Sequence, residues 1–373
     1  MKVCIVGTAW PYRGGLSAMN ERLAKEFVDQ GHEVEVITFT LQYPSFLFPG
    51  KSQFDDRPQP PFTIKRMINS VNPFNWFKVG NYIKDSAPDL VIVKYWIPFM
   101  GPCFGTILRL ARHGSKMKVV SILDNLIPHE KRPMDMAFSR YFVKAVDGFI
   151  TLSKSVLNDI NEFDQVKPRK FSPHPVYDSF GEVGDKGEAR KNLGLDPEGK
   201  YILFFGFIRD YKGLDMLLEA MADDRIKNSN VKLMVAGEYY SNEEKYQEII
   251  NRLGISDRLE LFTQFIPDNE IGMYFNAADC VVQPYKTATQ SGVTQIAYHF
   301  EKPMIVTNVG GLPEIVPDGQ VGYVCEVNPT SIADSILKFY DADVNRFSLK
   351  IKEKQKEYSW ATMINNVFTV VGM

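Results

Sequence analysis

Two cations three residues apart, Arg209 and Lys212, stand in the segment YILFFGFIRDYKG, residues 201–213. A guanidinium and an ammonium at that spacing can grip the oxygens of a phosphorylated ligand through charge-assisted hydrogen bonds. On their N-terminal side, Tyr201 to Phe205 reads as a buried strand of a parallel sheet, ended by Gly206. On their C-terminal side, GLDMLLEAM carries Leu214, Leu217, Leu218 and Met221 at helical spacing. A helix start adds free N–H groups and the positive end of a dipole to the two side chains. The plain alternative is a strand-to-helix turn with two solvated charges.

A second stretch weighs against that alternative. Between Pro284 and Met304 the chain reads YKTATQSGVTQIAYHFEKP, where Ser291 and Gly292 open a helix carrying Val293, Ile296, Ala297 and Phe300. An uncharged Ser-Gly helix start at a sheet edge is another phosphate cradle. Two such cradles on neighbouring strand–helix loops converge on one ligand.

The elements that must position these groups form two βαβ series. The first begins with a strand at residues 2–7, the loop GTAWPYRGG, a helix closed by Gly31, and a strand at 32–39. Gly14 and Gly15 stand where backbone must approach a ligand at the C-terminal edge of the sheet, although the spacing is not GxGxxG. Further strands are expected at 89–95, at 118–123 and, as the last, at 147–152. The loop LDNLIPHEKR puts Asp124, Asn125, His129 and Glu130 at a strand's C-terminal end, where open α/β sheets hold ligands, though a loop Asp also serves as a helix cap. A Pro-, Gly- and charge-rich stretch, residues 173–200, then reads as an interdomain linker with one short helix. The second series starts at Tyr201.

Composition bounds the function. The 373 residues are 45% hydrophobic and 24% charged, with net charge −2, which suits a soluble two-domain protein and argues against nucleic acid as a partner. The most apolar region, residues 90–110, is broken by Lys94, Pro98, Gly101, Pro102 and Gly105 and does not read as a membrane span. The opening VCIVG is too short for a signal-peptide core. Cys4, Cys103, Cys280 and Cys325 form no CxxC pair, so buried free thiols, a reducing cytoplasm and no structural metal are expected. Residues 41–80 read as a long Pro-rich, aromatic insertion between strands. Exposed Phe46, Leu47, Phe48, Phe74, Trp76 and Phe77, near Lys51, Lys65, Arg66 and Lys78, would suit a lipid-bearing acceptor or a membrane surface; the same aromatics could instead cover the domain's own core.

Taken in order, these motifs resemble glycosyltransferase family 4, the retaining nucleotide-sugar transferases of GT-B fold. The anchors are Gly14-Gly15, GFIRDYKG, VAGE, the block FTQFIPDNEIGMYFNAADCVVQPY, the helix start at Ser291, VGGLPE and the closing YSWATM, and they span nearly the whole chain. The resemblance implies an α/β protein of two Rossmann-like domains facing each other across a cleft. Residues 1–172 would bind acceptor and 201–357 the nucleotide-sugar donor, with a C-terminal helix, 358–373, returning to the first domain. Arg209 and Lys212 would hold the donor diphosphate and stabilise the leaving nucleotide. Ser291, Gly292 and Val293 would bind the same phosphates, Glu238 and Phe265-Ile266 would border the nucleoside, and Gly14-Gly15 would let the first domain approach on closure. Gln295 stands where the family has a ribose-binding glutamate, and Thr287 or Ala288 where it has a sugar-binding one. Asp124 occupies the strand-end loop comparable to that of the family's first-domain histidine.

The implied reaction is retaining, metal-independent glycosyl transfer from a UDP- or GDP-linked sugar, used as co-substrate with no resident cofactor. Its acceptor would be a glycan or lipid-linked molecule of cell-surface polysaccharide assembly, met in the cytoplasm or at the inner face of the plasma membrane. The rivals are a sugar-nucleotide epimerase or phosphorylase on the same frame, and a catalytically silent binding or scaffold subunit.

Overall fold

The computed structural model describes residues 1–44, 54, 58–128, 132–178, 180–240, 242–288 and 291–373. The expected positions of Phe46, Leu47, Phe48, Lys51, His129 and Glu130 lie outside them. The chain divides into two units, Met1–Pro173 with Trp360–Met373, and His174–Ser359.

The first unit holds a seven-stranded parallel sheet in the order β3-β2-β1-β4-β5-β6-β7. Its strands are β1 (Lys2–Val6), β2 (Glu33–Leu41), β3 (Thr63–Asn69), β4 (Leu90–Tyr95), β5 (Lys118–Leu123), β6 (Gly148–Thr151) and β7 (Arg169–Phe171). The central strands are apolar on both faces because helices cover both. One cover is the helix Trp360–Val371, which lays Trp360, Met363, Ile364 and Val367 with the helix Gly15–Asp29 over Ile5, Ile92, Val120, Ile122 and Ile150. Gly148 lets this helix come close: a Cβ there would sit 2.3 Å from Val370 Cγ1.

Two expectations for this unit are corrected. Residues 41–80 are not one irregular insertion: they contain β3 and the helix Pro73–Ser86. β3, TIKRMIN, is an edge strand with only Ile68 fully buried, and its charges obscure the alternation. The helix starts at Asn72, whose side chain accepts from the N–H groups of Phe74 and Asn75, with Pro73 in its first turn. Nor is the strand at 148–151 the last, since β7 adds three residues beyond it.

The second unit repeats the plan with six parallel strands in the order β10-β9-β8-β11-β12-β13. They are β8 (Lys200–Phe205), β9 (Val231–Ala236), β10 (Leu259–Phe262), β11 (Cys280–Gln283), β12 (Met304–Thr307) and β13 (Gly322–Cys325). The helix Lys186–Asn192, inside the stretch expected as linker, packs into this unit. Its Arg190 is buried, donating to the Ala277 and Pro197 carbonyls and pairing with Asp279 at 2.9 Å. All four cysteines are buried and free.

Ile364→Ala should destabilise the first unit by about 2–5 kcal/mol, the cost of emptying a buried aliphatic position. Chemical denaturation followed by fluorescence would read this as a lower midpoint for the transition of the first unit; an unchanged midpoint would mean that the C-terminal helix contributes no core.

Candidate functional site

In both sheets the strand order reverses direction at one strand. In the second unit β8 lies between β9 and β11, so the loops leaving β8 and β11 diverge to opposite faces and open a crevice at their C-terminal ends. The loop after β8 carries Arg209 and Lys212. The loop after β11 leads to the helix Gly292–His299, capped by Ser291, whose Oγ accepts from Val293 N–H at 3.2 Å.

Glycines set the geometry. Gly206, at φ +95°, turns the chain off β8, and a Cβ there would lie 2.8 Å from Lys212 Nζ and 4.0 Å from Val293 Cγ2. The lysine tip and the start of the second helix therefore meet at one point beside the strand end. Gly213 takes φ +69° directly against the other loop, where a Cβ would fall 1.9 Å from the Pro284 carbonyl oxygen. The two loops are tied together there, Lys286 N–H donating to Tyr211 O at 2.7 Å.

The electrostatics arise from this packing. Lys212 is only 9% exposed and its Nζ lies 5.8 Å from the Tyr285 ring centroid. Among the described residues no carboxylate pairs with either Lys212 or Arg209. Burial, with the neighbouring Arg209 charge, lowers the Lys212 ammonium to about 8. Asp210 lies between the two in sequence but is drawn off by Lys245 (2.5 Å) and Lys286 (3.1 Å), which also hold Asp215 at 3.3 and 2.7 Å. Those hydrogen bonds hold the Asp210 carboxyl below its usual range. The result is a strand end with positive charge uncompensated among the described residues, set beside a helix N-terminus, a combination suited to an anion.

The remaining donor-side candidates surround the same strand ends. Glu238 is exposed after β9, and its carbonyl accepts from Ile208 N–H at 2.9 Å. Phe265 is 64% exposed beyond β10 while the adjacent Ile266 is buried. Gln295 is buried in the second helix, and its Oε1 finds no partner among the described residues. Reading the sequence missed a second buried amide, Gln283 at the end of β11, with neither amide atom bonded among the described residues. It also missed Tyr240, whose ring lies 3.9 Å under the Arg209 guanidinium, and the roles of Lys245 and Lys286. Glycine turns were legible from the string GFIRDYKG; these contacts join segments far apart in the chain.

The first unit holds the other candidates. Gly14, at φ +100°, precedes the helix that starts at Gly15. Asp124 comes directly after β5 and, rather than capping a helix, pairs at 2.7 Å with Lys94 of β4, whose side chain is buried beside Met19. Among the described residues no group of His, Cys, Asp or Glu side chains is arranged to hold a metal ion.

Lys212→Met should raise the stability of the ligand-free protein at pH 7, because folding buries this charge without a carboxylate partner among the described residues. The folded-state value, about 8, lies below the ordinary lysine value of 10.5, so the wild type sheds that cost as pH climbs from about 8 towards 10.5. The gap between the denaturant midpoints of the two proteins should therefore be widest at pH 7 and narrow as pH rises from about 8 past 10.5; a pH-independent gap would refute the account.

Comparison with known proteins adds the family. The glycosyltransferase family 4 profile matches residues 13–173, and the glycosyl transferases group 1 profile matches residues 185–358. An uncharacterized glycosyltransferase of Methanocaldococcus jannaschii is 27% identical over 98% of this chain and 97% of its own length. The N-acetyl-alpha-D-glucosaminyl L-malate synthase of Bacillus anthracis is 23% identical over 93% of this chain and 90% of its own. Among solved structures, HepE of Anabaena in complex with UDP superposes with a TM-score of 0.73 at 16% identity, covering 100% of both chains; its UDP-glucose complex gives 0.68. The fold is α/β of the GT-B type, and the chain belongs to glycosyltransferase family 4.

Proposed function

We propose that this glycosyltransferase moves a sugar from a nucleoside-diphosphate donor, UDP- or GDP-linked, to a glycan or lipid-linked acceptor, retaining the anomeric configuration and needing no metal. The observation that carries the reading is the pair Arg209 and Lys212, uncompensated by any carboxylate among the described residues and set beside the helix start at Ser291–Val293. HepE, solved with UDP and with UDP-glucose, supports a donor of this class.

The bond from the sugar C1 to the β-phosphate oxygen breaks, the acceptor oxygen bonds C1, and the acceptor proton is released. The difficult part is the negative charge that builds on the departing diphosphate. Cations and N–H groups already aimed at that charge stabilise it without reorganisation. Arg209 supplies a forked donor set, Lys212 a desolvated point charge, and Ser291, Gly292 and Val293 the helix start. Glu238, Phe265 and Ile266 would border the nucleoside, and the Gln295 amide would bond ribose hydroxyls, since a buried unpaired amide oxygen gains a donor on binding. In the first unit Gly14-Gly15 and Asp124, the latter held by Lys94, are the groups assigned to closure and catalysis.

An acceptor with a lipid part, met at the inner face of the membrane, is supported by Phe74 and Phe77. They are 87% and 52% exposed on one side of the helix Pro73–Ser86, next to exposed Lys78. Trp76 is not part of that surface; its Nε1 donates to Asn69 O and its ring packs on the core. No helix among the described residues is long and apolar enough to cross a membrane.

Thermal unfolding with UDP, GDP, ADP and CMP in turn tests the donor site. The right diphosphate at about one hundred times its dissociation constant should add about 2.7 kcal/mol to wild type and clearly less to Arg209→Ala. Arg209→Ala should also lower turnover by about 10²–10³. Stabilisation by none of them would abandon the donor site and favour a scaffold subunit. Separately, wild type should sediment with anionic phosphatidylglycerol vesicles and Phe74→Ser/Phe77→Ser should not; equal sedimentation of the two would remove the membrane surface.

A further inference from the structure

We propose that Tyr240 is a positioning residue for the transfer reaction: its ring holds the Arg209 guanidinium in the orientation that receives the donor diphosphate. The inference rests on the donor-site reading above and adds a residue that reading does not use.

Arg209 sits on an exposed loop, where a long side chain samples many rotamers and loses entropy each time it closes on a ligand. A carboxylate could hold it, but would neutralise the charge the site needs. The nearest carboxylate in sequence, Asp210, is already committed to Lys245 and Lys286. An aromatic ring holds a guanidinium by its flat face instead. That leaves the charge intact and all the in-plane N–H donors free to meet two oxygens at once. The contact is close, with the guanidinium carbon 3.9 Å from the Tyr240 ring centroid.

The backbone makes the pairing reproducible. Ile208 and Tyr239 form a parallel β-bridge that extends the β8–β9 pairing into the two loops. Ile208 N–H donates to Glu238 O at 2.9 Å, and Tyr240 N–H donates to Ile208 O at 3.1 Å. Ile208 is buried, and the Tyr239 ring stacks on Tyr246 of the helix Glu243–Leu253 at 5.7 Å. Gly237 permits the approach of the two loops, since a Cβ there would lie 2.5 Å from Gly206 O. Arg209 and Tyr240 thus emerge side by side from two zipped loops. Tyr240 itself is 55% exposed, so packing does not account for an aromatic there.

The test is a double-mutant cycle on UDP affinity by titration calorimetry, with GDP and ADP run in parallel, on wild type, Tyr240→Ala, Tyr240→Phe, Arg209→Ala and the double alanine variant. Tyr240→Ala should weaken binding by about 2- to 30-fold, the range of a cation–π contact from exposed to desolvated. Its ligand-free melting temperature should fall by only a few degrees, the loss of one surface contact. Tyr240→Phe, which keeps the ring, should restore wild-type affinity, and Tyr240→Ala should cost nothing further once Arg209 is alanine. Three results would overturn the proposal: an unaffected Tyr240→Ala, a Tyr240→Phe as weak as the alanine variant, or a Tyr240→Ala loss that persists without Arg209, which would mark the ring as a base-stacking surface. If instead Arg209→Ala binds every nucleotide as wild type does, the donor-site reading itself fails and takes this proposal with it.

Discussion

An ammonium group taken out of water with no counter-charge among the described residues is the constraint on which the second unit is built. The rest of the unit must therefore carry the cost of holding Lys212 buried and charged. Gly206 leaves room for the lysine tip, Tyr285 offers a ring face, and the helix start at Ser291 cannot pair with it. The four-charge cluster of Asp210, Asp215, Lys245 and Lys286 removes the one acid that could have quenched the site from within its own loop. Charge is thus segregated over a few residues: Asp210 and Asp215 are neutralised by Lys245 and Lys286, while Arg209 and Lys212 have no carboxylate partner among the described residues. Such an arrangement lowers stability locally, since a buried charge without a counter-charge costs free energy.

Topology explains why the segregation occurs where it does. At β8 the neighbouring connections leave to opposite faces, so the strand end is not roofed by the next loop. The same order recurs in the first unit, where β1 lies between β2 and β4. Its comparable edge carries Gly14-Gly15 and the Lys94–Asp124 pair. There the buried lysine does have a carboxylate, and the pair is neutral. The two units share a plan but differ in whether the buried lysine is neutralised.

How much of this could be read beforehand depended on the range of each interaction. Strand, turn and helix around GFIRDYKG were legible because apolar run, glycine and periodic leucines lie within a few residues. Ser291 was legible as a cap for the same reason. Lys94 read only as an interruption of an apolar stretch, since its partner is thirty positions away, just past the end of a neighbouring strand. Tyr240 carried no signal, because what gives it a role is the bridge between Ile208 and Tyr239. β3 hid behind Lys65 and Arg66, which an edge strand tolerates, and β7 is too short to leave a pattern. The exposed Phe74 and Phe77 masked the helix beginning at Pro73, whose capping by Asn72 was the better clue.

The helix Trp360–Val371 bears on the order in which the protein can be made. A chain synthesised from its N-terminus presents β1 to β7 long before the residues that cover one face of their sheet. Ile5, Ile92, Val120, Ile122 and Ile150 must wait, part of their cover being supplied from residues 360–371. The second unit, His174–Ser359, is continuous and draws on no later segment. It can complete itself first, and the unit that begins the chain is the last to close. During that interval the sheet face, covered only in part by the helix Gly15–Asp29, leaves apolar surface open to aggregation. A premature stop near the end would strike not the unit just synthesised but the one begun first.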